Sequence, residues 1–164
     1  MRWQELATPI GELGVAVDGD GVCRVDFRGS PDSSGSAAPG GDPVLDEALS
    51  QLRSYFAGEL TDFDLPLSVT DGSPFERAVW RAIAAIPYAQ MRTYGEIAAD
   101  VGAPDGARAV GVACNRNPLP LVVPCHRVVG AGGKLVGFGG GLPRKRFLLA
   151  LEARVRVERD FSTG

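Results

Sequence analysis

The sequence predicts an α+β fold: a small N-terminal antiparallel sheet with one helix, then a mainly helical C-terminal domain that contains a helix-turn-helix. Three observations predict it. The first 27 residues hold short, partly alternating apolar runs broken by turn residues, which is the pattern of a β-meander. From residue 73 the pattern changes to helices opened by capping boxes. The charge changes sign at the same place. Residues 1–73 hold 4 Lys/Arg against 13 Asp/Glu, a net −9, and residues 74–164 hold 13 against 7, a net +6. Domains are therefore expected at 1–70 and 74–157.

Each element has a local cause. "RWQELAT", "ELGVAVD" and "GVCRVDF" are strands separated by Pro9-Ile10-Gly11 and Gly19-Asp20-Gly21. Residues 29–43, "GSPDSSGSAAPGGDP", are too poor in large apolar side chains to pack, and a mobile loop is expected there. The segment 44–57 lines up Val44, Leu45, Ala48, Leu49, Leu52, Tyr55 and Phe56 on one helical face. Asp42 caps it, Pro43 fits the first turn and Gly58 follows its end. "DFDLPLSV" alternates, but Pro66 restricts it to an edge strand or an extended linker.

In the second half, Ser73-Pro74-Phe75-Glu76 opens a helix that runs to about Ile86. Thr93-Tyr94-Gly95-Glu96 opens a short one that ends near Gly102, and residues 105–114 form a third from small residues. The last two, joined by Gly-Ala-Pro, make the helix-turn-helix candidate. Small side chains let the second of them approach a partner closely. The apolar run 119–123 reads as a strand that Pro124 ends. A glycine turn follows, then a helix from Pro143 that carries Phe147, Leu148, Leu151 and Glu152.

Composition narrows the function. Hydrophobic content of 45% and charged content of 23% are those of an ordinary globular chain. No apolar run reaches membrane-spanning length, and the start "MRWQELATPIG" lacks the apolar region of a signal peptide. A cytoplasmic location is therefore expected. Three cysteines and one histidine offer no zinc spacing, so no metal is expected and free thiols in a reducing compartment are. A net charge of −3 argues against nucleic acid, but the basic half alone has the footprint of a phosphate-backbone binder.

The chemistry concentrates in "LPLVVPCHRVVG", residues 119–130. Cys23 and Cys114 read as small hydrophobes in apolar patterns. Cys125 differs, because His126 and Arg127 follow it directly and neither belongs in a core without a partner. A base and a cation beside a thiol favour the nucleophilic thiolate. Neighbours in a regular strand point to opposite faces, so a Cys125–His126 contact needs an irregular backbone or a bridging water. Glu152 is the candidate that orients the imidazole. The bland alternative is a histidine satisfied by a buried carboxylate beside a silent cysteine.

"IPYAQMRTYGEIA" and "GARAVGVACNRNPLPLVVPCHRVVGAGGKLVGFGGGLPRKRFLLALE" closely resemble the O6-alkylguanine-DNA alkyltransferases. The resemblance covers about residues 74–152. The first half resembles them more loosely, in strand–helix order and in "YFAGELTDFDLPL". It implies a ribonuclease-H-like first domain. It implies direct-reversal DNA repair: irreversible, stoichiometric transfer of the alkyl group from O6-alkylguanine in DNA to Cys125, after the nucleotide is flipped into the site. His126 would deprotonate the thiol through a water, Glu152 would hold His126, and Asn117 would stabilise the turn and link it to the helix-turn-helix. Tyr94 would press on the phosphate 3′ of the lesion and recognise the extruded guanine. Arg108 would fill the space the base leaves. Ala109 would complete the DNA contacts, with Arg116, part of a departure from the family pattern, adding a phosphate contact, and Val128, Phe138 and Gly139 would line the pocket with Tyr94.

These implied roles agree with the chemistry. A base whose O6 substituent reacts in line must leave the stack. The thioether product has nothing here to cleave it, so one molecule acts once and no cofactor is expected. The implied partner is double-stranded DNA containing O6-alkylguanine, with no membrane and no obligate protein partner. A monomer in solution is expected, with cooperativity on DNA, O4-alkylthymine and alkyl size left open. Phe138 departs from the tyrosine of many relatives, as do Cys114 and "NRN" from the commoner pattern. Two rivals stay open: a lesion-binding module without catalysis, and a cysteine hydrolase that turns over and ignores DNA.

Overall fold

A computed structural model describes residues 2–27, 36–37, 41–138 and 140–162. The chain divides into two compact units, Met1–Asp71 and Gly72–Gly164.

In the first unit, β1 (Arg2–Thr8), β2 (Gly11–Val17) and β3 (Val22–Asp26) form the antiparallel meander. A short β4 (Ser36–Ala37) pairs in parallel with β1, so the sheet order is β3-β2-β1-β4. Within the 29–43 segment, expected as a mobile loop, Ser36 and Ala37 pair with the sheet edge, because backbone pairing to an open edge needs no large side chain. The rest of that expectation, at residues 29–35 and 38–40, lies outside the described residues. Pro66 accepts from the Val22 amide and Ser68 donates its own amide to Val22 O. The 63–69 segment thus forms one isolated bridge, Val22 to Leu67, rather than a full strand. The helix α1 (Pro43–Phe56) is capped by Asp42, whose side chain accepts from Leu45 N. It packs on β1, β2 and β3 through Leu45, Ala48, Leu49, Leu52 and Tyr55. All five are buried, as are Leu13, Val15 and Val17 of β2, and burial of each leucine or valine contributes about 1.5–3 kcal/mol.

The second unit is mainly helical. Its helix α2 (Pro74–Ala84) and helix α3 (Tyr94–Asp100) both begin with complete capping boxes, Ser73 with Glu76 and Thr93 with Glu96. The α3 helix stops because Gly102 takes a φ of +79°, a left-handed turn that glycine adopts without steric cost. The helix α4 (Ala107–Asn115) follows and packs on both α2 and α3. Trp80 of α2 donates its indole N–H to Ala113 O of α4 at 2.8 Å, which fixes α4 against the core.

Two strands of two residues each, β5 (Arg92–Thr93) and β6 (Val128–Val129), pair in parallel. The expected strand at 119–123 is absent. The run is a turn with one isolated bridge, Pro120 to Val123, and Leu121 sits at a φ of +75°. Leu119, Leu121 and Val123 are buried one by one in an irregular loop, which is why periodicity misread them. The last helix, α5 (Leu142–Ser162), carries Phe147, Leu148, Leu151 and Glu152. No described helix is long and apolar enough to cross a membrane.

Candidate active site

Cys125, His126 and Arg127 form a single 3-10 turn, all buried. This is the irregular backbone that neighbouring functional side chains require. It is held from two sides. Asn117, just past α4, donates Nδ2 to Val123 O and to Cys125 Sγ, both at 2.9 Å, while its Oδ1 accepts from Leu119 N at 2.9 Å. One amide side chain therefore joins the helix-turn-helix to the turn that bears the thiol. Cys125 Sγ in turn faces Cys114 O at 3.5 Å.

Glu152 of α5 is the anchor on the other side. Its Oε2 accepts from His126 Nε2 at 2.6 Å and from Arg127 Nη2 at 3.1 Å. Its Oε1 accepts from Arg127 Nε at 2.8 Å and from the backbone N–H of Ala89 at 3.1 Å. Ala89 has a φ of +62°, so the carboxylate also steadies a strained loop residue. Arg127 completes its set with Ile86 O at 2.8 Å and the ring of Tyr88 at 5.4 Å. The charges are thus buried as a bonded group, which is how ionised side chains persist in a core.

The electrostatics follow from these partners. Burial alone would raise the Glu152 carboxyl, but His126 and Arg127 outweigh it and bring it to about 2. Burial lowers the pKa of His126, against the pull of Glu152, so the ring is neutral. With Nε2–H committed to the carboxylate, Nδ1 is the free lone pair, and it is buried without a protein partner. The resting thiol is not a thiolate, because its hydrogen bond with Cys114 and its burial push Cys125 well above the ordinary value of 9.0. The neighbouring cation, Arg127, spends its charge on Glu152 instead.

A cavity of about 630 Å³ opens beside the turn, lined by Tyr94, Arg108, Gly111, Val112, Asn115 and Gly137 among others. Cys125 itself does not line it. Tyr94 connects the two, because Cys114 and Cys125 are near enough to raise its phenol, which burial first brings up and which reaches about 12. Its hydroxyl faces Val136 O at 3.1 Å and Gly137 O at 3.2 Å. Arg108 and Ala109 are exposed in the first turn of α4. Arg116 is exposed and faces Glu76 at 3.5 Å. Val128 is buried, and Phe138 is half-buried. Gly139 lies outside the described residues. No group of three or more His, Cys, Asp or Glu suited to a metal occurs among them.

Sequence reasoning missed Lys145. Its Nζ donates to Val128 O at 2.6 Å, Val136 O at 3.2 Å and Gly137 O at 3.3 Å, and it lies 5.7 Å from the Tyr94 ring. It clamps the loop that faces the cavity. The signal was present: Lys145, Leu148, Glu152 and Val155 fall on one helical stripe, and all are buried.

Two family models match the chain. Residues 74–154 match the DNA-binding domain of 6-O-methylguanine DNA methyltransferase, and residues 1–69 match its ribonuclease-like domain. The chain belongs to the 6-O-methylguanine DNA methyltransferase family. A methylated-DNA–protein-cysteine methyltransferase of Mycobacterium leprae is 48% identical over 91% of this chain and 90% of its own. One of Mycolicibacterium paratuberculosis is 62% identical, over 65% of this chain and 64% of that relative. The crystal structure of Mycobacterium tuberculosis OGT in complex with DNA is 44% identical and superposes with a TM-score of 0.87 over 94% of both chains.

Proposed function

We propose that this chain repairs DNA by direct reversal, moving the alkyl group of O6-alkylguanine irreversibly to Cys125. The observation that carries the residue assignment is the buried thiol in one turn with an imidazole whose second nitrogen is tied to Glu152 and whose Nδ1 is free. The DNA partner rests on family membership. The exposed Arg108 on a helix of small residues supports it.

The steps balance. The Cys125 proton passes through a bridging water to His126 Nδ1, and Glu152 stabilises the imidazolium that forms. The thiolate attacks the alkyl carbon, an S–C bond forms, and the C–O6 bond breaks with its electrons going to guanine. Asn117 N–H at 2.9 Å stabilises the developing sulfur charge. Tyr94, held neutral by its high pKa, keeps a proton to donate toward the departing base. Arg108 fills the gap left in the duplex, Ala109 and Arg116 contact the backbone, and Val128, Phe138 and Gly139 border the base. We place the reaction in the reducing cytoplasm, which suits three free cysteines.

Incubating the protein with a duplex that contains one O6-methylguanine, followed by mass mapping, tests the reading. One methyl on Cys125 and restored guanine is the expected result. Turnover beyond one equivalent, or DNA bound without an adduct, overturns it.

A further inference from the structure

Cys114 is the one thiol-bearing neighbour of Cys125 among the described residues, and the transfer reaction gives its side chain no task. It occupies the last turn of α4, half-buried, whereas Cys125 is 5% exposed. The Cys125 sulfur lies 3.5 Å from the carbonyl oxygen of Cys114. Asn117 holds the buried sulfur in place from the same end of α4. The neighbouring Cys125 thiol, and then Lys145, lower the pKa of Cys114, while that of Cys125 is raised. An accessible thiol of lowered pKa beside a second thiol is the arrangement of a redox-sensing pair. Cys23, on β3 of the first unit, has no such arrangement, since burial and then Asp18 raise its pKa.

We infer that Cys114 and Cys125 form a redox-active pair that a hydroperoxide closes reversibly into a disulfide. The Cys114 thiolate attacks the peroxide, an S–O bond forms, the O–O bond breaks, and hydroxide leaves. Cys114 is now a sulfenic acid. Cys125 gives its proton to that hydroxide and attacks the Cys114 sulfur. The S–S bond forms as the S–O bond breaks, and the second hydroxide takes up the proton that Cys114 released to solvent on ionising. Two thiols and one hydrogen peroxide become one disulfide and two waters. The closed form cannot accept an alkyl group, and reduction by a small thiol such as glutathione restores it. Cys114 thereby protects a single-use nucleophile from sulfinic and sulfonic acids, which a small thiol does not reverse.

This consequence rests on the transfer reading, but the chemistry does not, so the test reads the two separately. The whole protein, without DNA, is treated with hydrogen peroxide, alkylated at free thiols and digested for mass mapping. A peptide linking Cys114 to Cys125 is expected in the wild type. After dithiothreitol, wild-type transfer of methyl from O6-methylguanine DNA should return to near its untreated level. Cys114→Ser, compared with its own untreated activity, should stay at least about tenfold lower, with Cys125 found as higher oxides. Links made mainly to Cys23, or equal over-oxidation of Cys125 in both proteins, overturn the inference. Thermal melting checks that Cys114→Ser folds. If it does not, Cys114→Ala serves, and without a folded variant the linked wild-type peptide alone decides. A linked peptide in a protein that never transfers methyl keeps the pair and removes the transfer reading.

Discussion

The two units of this chain bury different things. The first buries Leu13, Val15, Val17, Leu45, Leu49, Leu52 and Tyr55, and among its described residues no charged side chain. The second buries His126, Arg127, Lys145 and Glu152 along with its apolar core. Both fold by apolar burial. Only the second carries ionised groups out of water, and it does so with each charge answered by a carboxylate, a guanidinium or carbonyl oxygens. Buried charge is costly and rarely improves on a well-packed apolar core. Its concentration around Cys125 is what sets the second unit apart from the first. The first unit is a scaffold of the kind packing alone explains.

The sharpest way to break this contrast is to remove the nucleophile. Cys125→Ser should lower methyl transfer by more than about 1,000-fold in single-turnover assays while the duplex still binds, since serine lacks a low-lying anion at neutral pH. Full transfer by that variant would end the active-site assignment.

Next comes the anchor. Glu152→Gln strands Arg127 and should destabilise the protein by about 3–5 kcal/mol in urea titration. Leu49→Ala in the first unit should cost a similar 2–5 kcal/mol by leaving a cavity. The two should differ in activity per folded molecule: the first loses transfer and the second keeps it. Equal transfer by both would dissolve the contrast.

Acid should act on the second unit. The folded pKa of Glu152, about 2, lies below its ordinary 4.5, and that of His126 lies below its ordinary 6.5. In both cases the unfolded chain takes up the proton first as pH falls. Stability is therefore full above about pH 6.5, declines below it, and the Glu152 share is lost as pH falls toward 2. Melting temperature against pH in wild type and Glu152→Gln checks this, and the variant should show the flatter curve below pH 4.5.

Smaller effects belong to the exposed face. Arg108→Ala should slow repair of duplex DNA about tenfold or more and leave repair of the free base near normal, in keeping with the cost of unstacking. Equal losses on both substrates would remove its gap-filling role. Arg116→Ala breaks a pair between an exposed arginine and the half-buried Glu76 and should change stability by less than about 1 kcal/mol. If Arg116 meets a phosphate, the salt dependence of DNA binding should fall by about one charge.

How much the sequence reveals differs between the units for the same reason. In the first, strand alternation and the 3.6-residue stripe of α1 are local signals of burial, and the structure follows them closely. In the second, the capping boxes mark the starts of α2 and α3 to the residue. The loop at 119–127 defeats periodicity, because its apolar residues are buried without regular backbone. Lys145 was overlooked because a lysine in an amphipathic helix ordinarily reaches water.

Residue types and short-range spacing thus decided the helix starts, the strand order of the meander and the candidacy of Cys125, since each depends on neighbours a few positions away. Only the folded chain decided that Glu152 serves His126, Arg127 and Ala89 at once, that Lys145 ties down the loop from Val128 to Gly137, and that the resting sulfur keeps its proton. Those outcomes depend on groups distant in the chain meeting where water is excluded, and charge, hydrogen bonding and proton affinity are settled by that meeting.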